Sequence, residues 1–125
     1  MTQEDKDLLL KDLCARLPYG VKIAMSGLWD HKITIEPLNE IFKGDDDLFR
    51  VNGNGHCIEY IKPYLFPMSS ITEEQSIEYG NLCERCCPAS IYSMDMIDWF
   101  NKHHIDYRGL IEKGLAIDAT DKNIY

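Results

Sequence analysis

Apolar residues recur at two different spacings along the chain, and the spacing changes near residue 62. The first pattern is helical, and its apolar positions share one face: Leu9, Leu10, Leu13, Cys14 and Leu17. The opposite face carries charged side chains: Lys6, Asp7, Lys11, Asp12 and Arg16. Thr2 with Asp5 predicts the start of this helix, and Pro18 predicts its end. The pattern therefore predicts an amphipathic N-terminal helix of about four turns.

A period of two follows the helix and predicts an antiparallel meander. The meander has about four strands, at 21–26, 33–36, 48–51 and 56–61. In the second strand two isoleucines, Ile33 and Ile35, alternate with polar residues. Pro37 either ends this strand or marks it as an edge strand. Two Asn-Gly pairs at 52–55 favour a tight hairpin turn before the last strand.

The stretch 62–75 separates the strand pattern from a helical one. Two prolines restrict its backbone, and Thr72 with Gln75 has the spacing of a capping box that begins a helix. We predict an ordered crossover here. Three of its apolar residues are expected to pack the helical half onto the sheet: Leu65, Phe66 and Met68.

Helix starts and stops dominate after Thr72. A helix that begins there should run to Pro88, and Ser93 can start another. The second helix carries an apolar set: Met96, Ile97, Trp99 and Phe100. Asp106 is placed to cap a last short helix, and Gly114 is placed to end it.

Together these elements predict one α+β domain over residues 1–125. It has an N-terminal helix, a meander of about four strands, and two or three C-terminal helices with a short final edge strand at 115–117. Its predicted parts are a strand-rich half (1–61), a crossover (62–75), a helical half (76–118) and a tail (119–125).

Composition and charge narrow the functional classes. The net charge is −8, from 13 basic and 21 acidic side chains, and neither half of the chain is basic. Because neutralised phosphates supply most non-specific affinity for nucleic acids, this balance disfavours a nucleic-acid binder. The acidic start and the lack of an apolar run of about 18 residues predict a cytoplasmic protein with no membrane partner. Five cysteines, an odd number, predict reduced thiols rather than disulfides.

One cluster has the residue types of a metal or redox site. It combines three thiols with two histidines that the fold could bring near: Cys83, Cys86, Cys87, His103 and His104. Thiolates two residues apart can share a zinc ion, whereas a redox pair needs an exposed thiol at a helix N-terminus. Strong zinc signatures supply two such pairs, and here the second pair is missing. We therefore interpret the thiols first as structural and the histidines first as capping or core residues, with zinc and redox chemistry as alternatives.

The sequence contains none of the standard catalytic or nucleotide-binding motifs. It gives no catalytic residue and no cofactor-binding residue to assign, so we predict a non-enzymatic protein that acts through a protein partner. Aromatic side chains are enriched at the cores of interfaces. They provide the predicted interaction surface: Tyr64, Phe66, Trp99 and Tyr107.

Two stretches also resemble known proteins in amino-acid sequence. The first stretch comprises Lys62–Leu65 and Ser69–Glu74, and the second is Trp99–Ala116. They are similar to small uncharacterised proteins of gut Bacteroidetes and of their phages or other mobile elements. Those proteins have a variable strand-rich half, a "KPYL…SSMTEE" crossover and a "HHFDYRGLIEKGLA" ending. The likeness covers roughly the C-terminal half, and the chain departs from it after Ala116. The resemblance implies a phage or mobile-element origin and no particular activity.

The passage Leu110–Ile117 is also similar to the helix-to-wing passage of winged-helix regulators, where a "LIEKGL" string leads into a wing strand. This resemblance implies an alternative function, a nucleic-acid-associated regulator built on the C-terminal helices. The region has few basic side chains, whereas a recognition helix normally offers several to phosphates and base edges. The leading expectation is therefore an interaction or adaptor module of phage or mobile-element origin.

Overall fold

The computed structural model describes residues 2–26, 33–43, 49–52, 56–78 and 94–125. Helix α1 spans Gln3–Arg16 and begins at the predicted capping box. In this box the Thr2 hydroxyl accepts from the Asp5 N–H at 3.1 Å, and the Asp5 carboxylate accepts from the Thr2 N–H at 3.4 Å. A 3₁₀ turn at Leu17–Tyr19 follows, and Gly20 leaves it with a φ of 68°. The helix therefore begins and ends where its sequence predicts.

The described strands form two sheets. In chain order they are β1 (Lys22–Ser26), β2 (Ile33–Pro37), β3 (Ile41–Lys43), β4 (Phe49–Val51), β5 (His56–Cys57), β6 (Ile61–Pro67), β7 (Ile105–Asp106) and β8 (Ile117–Asp118). In the larger sheet β1 pairs antiparallel with both β2 and β6, and β6 pairs in parallel with β7 and β8. The larger sheet thus has the order β2-β1-β6-β7, with β8 beside β6, and the smaller sheet has the order β3-β4-β5.

The α+β class is confirmed, but the crossover prediction is partly wrong. Residues 61–67, most of which we predicted as crossover, form strand β6 inside the larger sheet. Prolines are usually excluded from such strands because they lack an N–H. The backbone groups of Tyr64 point toward Lys22 of β1. Because successive residues of a strand direct their backbone groups to opposite sides, the nitrogen of Pro63 points away from β1. No bond between the two strands is lost, which explains why a proline fits there.

Two further helices are described, α2 over residues 73–78 and α3 at Met94–Lys102. The predicted capping box at the start of α2 is present. The Gln75 N–H donates to the Thr72 hydroxyl at 3.1 Å, and the Thr72 N–H donates to the Gln75 side chain at 3.0 Å. The predicted end of this helix at Pro88 lies outside the described residues. Within the described parts of the chain, no helix is long and apolar enough to cross a membrane.

The predicted last helix is reduced to a single turn between β7 and β8. The Asp106 carboxylate accepts from the N–H groups of Leu110 and Ile111, both at 2.9 Å, so it caps this turn from four and five residues earlier rather than from the N-cap position itself. Gly114 adopts a φ of 74°, and the Leu115 N–H donates to the Leu110 carbonyl at 2.9 Å. These are the features of a Schellman motif. The cap and the terminating glycine are therefore in place, although the helix between them is not.

Three groups of buried residues hold these elements together. The main core packs α1 against β1, β6 and the turn before β8, and it includes Leu9, Leu13, Ile23, Met25, Ile61, Leu65, Leu110 and Leu115. A second group joins α3 to β7: Met96, Trp99, Phe100 and Ile105. The third consists of Ala24, Tyr64 and Ala119. As expected, Leu65 lies in the main core, while Phe66 and Met68 pack against the α3 group.

Candidate functional site

The outer edge of β2 carries backbone groups that β1 does not use. The Leu38 N–H donates to the Val21 carbonyl at 2.8 Å, which continues the β1–β2 register by one pair. Hydrogen-bonded and non-bonded pairs alternate in an antiparallel ladder, so Glu36 and Thr34 also direct their backbone groups toward β1. The two isoleucines of β2 therefore direct their backbone N–H and carbonyl groups away from the sheet. Among the described strands, β1 alone pairs with β2.

The side chains of these residues, Ile33 and Ile35, lie on the face of the sheet opposite α1. Ile35 pairs with Ala24 in the register, whereas Ile23 and Met25 form the face of β1 that packs in the main core with α1. Residues directly opposite each other in a sheet share a face. Ile33 is 60% exposed and Ile35 is 49% exposed. In β2, therefore, the apolar side chains lie on the face away from the main core and the polar side chains on the face toward it. We term Ile33, Thr34 and Ile35 the open edge.

Asn52 limits the open edge at one end. Its side-chain N–H donates to the Pro37 carbonyl at 2.9 Å, and its side-chain oxygen accepts from the N–H groups of Asn39 at 2.8 Å and Glu40 at 3.3 Å. Asn52 has a φ of 51°, in the left-handed region that asparagine tolerates. Pro37 offers no N–H. A strand that pairs with the open edge therefore cannot continue freely past Pro37.

On the opposite face of the sheet, a buried charge cluster fastens α1 to β7. The Arg16 Nε donates to the Asp12 carboxylate at 2.8 Å, and neither side chain has any exposed surface. A second nitrogen of Arg16 donates to the Ile105 carbonyl at 2.7 Å. The Arg108 Nε donates to the other oxygen of Asp12 at 3.2 Å. One carboxylate therefore binds two guanidinium groups, which is how buried charges are stabilised.

Two expectations about α1 are wrong. Its sequence predicts Asp12 and Arg16 on the solvated face, but both are buried because each neutralises the other and Arg108 adds a second partner. Cys14, expected on the apolar face, is exposed. The helix is therefore oriented so that its buried face combines two leucines with an ion pair.

Tyr107 links the charge cluster to the α3 group. Its hydroxyl accepts from Arg108 at 3.0 Å, and the guanidinium carbons of Arg16 and Arg108 lie 5.2 Å and 4.8 Å from its ring centroid. The Phe100 ring stacks on it with a centroid distance of 5.3 Å. Cation–π contacts in this range are stabilising. The contacts of Tyr107 are therefore those of a packing residue.

Two clefts flank the segment that follows β6. The larger, of about 370 Å³, lies between residues 67–69 and residues 106–112. The smaller, of about 140 Å³, is lined by Phe66, Ile105 and three polar residues of 70–75. In the larger cleft both oxygens of Asp106 accept backbone N–H groups, so this carboxylate is committed to the turn.

Tyr125 occupies the place where the β1–β6 ladder would continue. The Lys22 N–H donates to its hydroxyl at 2.8 Å, and the hydroxyl donates to the Tyr64 carbonyl at 2.8 Å. Lys22 and Tyr64 would form the next pair of the β1–β6 register. The Lys22 ammonium also donates to the Ile124 carbonyl at 2.7 Å. Burial raises the pKa of the Tyr125 hydroxyl to about 12. The hydroxyl thus replaces a direct backbone bond.

His104 covers Tyr125 from the end of α3. The two rings stack with a centroid distance of 3.9 Å and an angle of 11°. His104 has a φ of 59°, and its N–H donates to the Asn101 carbonyl at 3.2 Å. Burial, followed by the positive charge of Arg16, lowers the pKa of His104 to about 4. The ring is therefore neutral near pH 7, which agrees with its interpretation as a core residue and not with a positively charged cap at the helix C-terminus.

The predicted metal cluster is only partly within the described residues. His103 lies with its Nε2 3.6 Å from a carboxylate oxygen of Glu78 and with its ring centroid 4.7 Å from that of Trp99. Over the described ranges, no group of three or more His, Cys, Asp or Glu side chains is arranged to hold a metal ion. The three predicted thiol ligands lie outside those ranges, so zinc or redox chemistry there stays a prediction: Cys83, Cys86 and Cys87.

Three of the four aromatic residues of the predicted interaction surface pack together around α3, and Tyr64 lies in the third buried group. Tyr64 is 5% exposed and Trp99 is 9% exposed, and they belong to two different buried groups. The Trp99 indole N–H donates to Glu78 at 2.8 Å. Phe66 and Tyr107 are half-buried and line different clefts. Core packing therefore accounts for Tyr64 and Trp99.

Sequence reasoning did not identify the open edge as a site. The alternation shows that Ile33 and Ile35 share a face, but only the register with β1 shows that this face is turned away from α1. Pro37 provides a usable signal, because a proline within a strand is typical of a sheet edge.

Comparison of the chain with protein-family models, curated proteins and solved structures finds no match.

Proposed function

We propose that the chain is a non-enzymatic protein-interaction module that accepts an extended segment of a partner at the open edge. The orientation of the β2 side chains carries this proposal, because Ile33 and Ile35 face away from the core and are 60% and 49% exposed. Neighbouring exposed apolar side chains beside unpaired strand backbone mark a surface for association. Strand addition uses both features, since backbone groups supply affinity and alternate side chains supply specificity.

Within the open edge itself, residues 33–35, no side chain is charged and none is a proline; the charge and the proline of β2 come directly after it, at Glu36 and Pro37. Strand edges that resist pairing carry lysines, inward charges or bulges. Glu36 supplies the charge of β2, and it lies on the opposite face from the isoleucines. Pro37 and Asn52 block pairing beyond Glu36. The three residues 33–35 therefore form a short pairing site with a defined end.

Binding of synthetic peptides tests the proposal. We expect a library of peptides of about ten residues, with alternating apolar and polar positions, to contain ligands for the chain. Ile35→Pro should abolish their binding, because proline removes the outward N–H but no bond to β1. Ile77→Lys is a matched control, since Ile77 is 63% exposed but lies in α2. Peptides that bind Ile35→Pro as tightly as the wild type would contradict the proposal.

The proposal includes an adaptor role in a phage or mobile element, which is supported by the resemblance of residues 62–74 and 99–116 to proteins of that origin. The neighbouring genes test this part. We expect structural, packaging or defence genes beside it. If only metabolic genes were found repeatedly beside the gene, the proposed adaptor role would be contradicted, while the proposed interaction surface would not be affected.

A further inference from the structure

We infer that the strand that adds to the open edge is β2 of a second copy, in an antiparallel pair centred on Thr34. This inference rests on the proposed function and names its partner. The sequence Ile33-Thr34-Ile35 reads the same in both directions. Antiparallel pairing of two copies therefore places Ile33 of one opposite Ile35 of the other, twice, on the exposed face. Such β-branched pairs stabilise adjacent strands.

The register centred on Thr34 also matches the available backbone groups. Ile33 and Ile35 each direct one N–H and one carbonyl outward. In this register Ile33 of one copy exchanges two hydrogen bonds with Ile35 of the other. The two symmetric pairs make four bonds, and every outward group of the open edge is used. Thr34 faces its own counterpart across the two-fold axis as a non-hydrogen-bonded pair.

The charge pattern of β2 permits this contact although each copy carries a net charge of −8. The two Glu36 carboxylates are displaced by four residues, or about 13 Å along the strands. That separation exceeds the screening length of about 8 Å at physiological ionic strength. The contact between Asn52 and Pro37 ends the pairing symmetrically on both sides. The assembly therefore closes as a two-fold dimer rather than extending as a fibre.

Sedimentation equilibrium tests the dimer. Because the contact is short, we expect a weak dissociation constant, on the order of 100 µM. From about 10 µM to about 1 mM, the mass of the wild type should rise from 14.5 kDa toward twice that value. Ile35→Lys should stay at 14.5 kDa, while Ile77→Lys should behave as the wild type. A wild type that stays at 14.5 kDa, or a dimer that Ile35→Lys leaves intact, overturns the inference.

Cross-linking tests the register. In a non-hydrogen-bonded pair the Cα atoms are about 4.5 Å apart, within the range for a disulfide. Thr34→Cys should therefore form a covalent dimer rapidly under copper–phenanthroline oxidation, and adding Ile35→Lys should prevent it. The wild type shows how much cross-linking comes from its own five cysteines. Ser69→Cys is a second control, because it places an exposed cysteine outside β2. The Thr34 side chain faces away from the isoleucines, so sheets stacked face to face would not cross-link there. Cross-linking no faster than in Ser69→Cys overturns the proposed pairing.

Thermal unfolding should first show that Ile35→Lys remains folded. If it does not, Ile35→Pro replaces it in sedimentation, because this change removes an outward N–H and the exposed isoleucine side chain but no bond to β1. The two proposals can fail separately. Peptide binding that depends on Ile35 in a chain that stays monomeric overturns the dimer and leaves the proposed function. Absence of both peptide binding and dimer overturns both.

Discussion

The two faces of the larger sheet are covered to different extents. On one face, Leu9 and Leu13 of α1 are fully buried in a core that includes β1 and β6. The other face is covered at β1 and β6 by residues 119–125, while the isoleucines of β2 are exposed. Burial of apolar surface contributes roughly 25 cal/mol per Å². The α1 face therefore stabilises the fold, and the other face has apolar surface left for contacts.

The faces also differ in the contacts that fasten their covering segments. Helix α1 is held by apolar packing and by the fully buried pair of Asp12 and Arg16. Segment 119–125 is held by the buried Ala119, by the bond from its N–H to the Leu65 carbonyl, and by polar and ring contacts of Tyr125 with the sheet and His104. The polar contacts of Tyr125 contribute less free energy each, because water can replace them. We expect the two faces to respond very differently to substitution.

Loss of the buried carboxylate should have the largest effect. Asp12→Ala leaves the guanidinium groups of Arg16 and Arg108 without their shared partner, and breaking a buried ion pair in this way costs about 3–5 kcal/mol of unfolding free energy. Asp7→Ala removes an exposed carboxylate from the same helix and should cost less than about 0.5 kcal/mol. Urea denaturation measures both. Equal losses would show that the charge cluster does not fasten α1.

Acid should have the next largest effect, through His104 on the other face. Its pKa is about 4 in the folded chain and about 6.5 when unfolded, so the unfolded chain binds the proton first as the pH falls. Stability should therefore decrease between pH 6.5 and pH 4, by at most about 3 kcal/mol, with no further loss from this group below pH 4. His104→Asn retains a residue that tolerates positive φ and should flatten this part of the profile. Identical profiles for the two proteins would argue against a buried neutral ring.

Removing the Tyr125 hydroxyl should have the smallest effect. Tyr125→Phe leaves the Lys22 N–H and the Tyr64 carbonyl without their bridge, which should cost about 1 kcal/mol. Tyr60→Phe is a matched control, because Tyr60 and Tyr125 are both 44% exposed. Thermal unfolding of the two variants makes the comparison. A larger loss from Tyr60→Phe would show that the bridge contributes little.

Features that depend on a few consecutive residues could be predicted from the sequence. The capping boxes at Thr2 and Thr72 and the terminating Gly114 are of this kind, because their hydrogen bonds join residues at most five positions apart. Their local chemistry is sufficient to specify them.

Features that depend on distant partners could not be predicted. Asp12 accepts a hydrogen bond from Arg108, which lies 96 positions later in the sequence. The helical pattern contains no information about this partner, so it assigns the carboxylate to solvent. Strand β6 accepts Pro63 because of its register with β1, and two prolines otherwise indicate a crossover. The open edge belongs to the same class, since alternation places Ile33 and Ile35 on one face without saying which face is buried.

Amide hydrogen exchange, resolved at single residues, tests the open edge most directly. In a dilute monomeric sample the Ile35 amide should exchange at nearly the rate of an unstructured chain. The amides of Thr34 and Glu36, which bond to β1, should exchange much more slowly. At concentrations where the chain dimerises, the Ile35 amide should become protected as well. An Ile35 amide as protected as that of Thr34 in the dilute sample would show that the edge is already covered, and would contradict the proposed interaction surface.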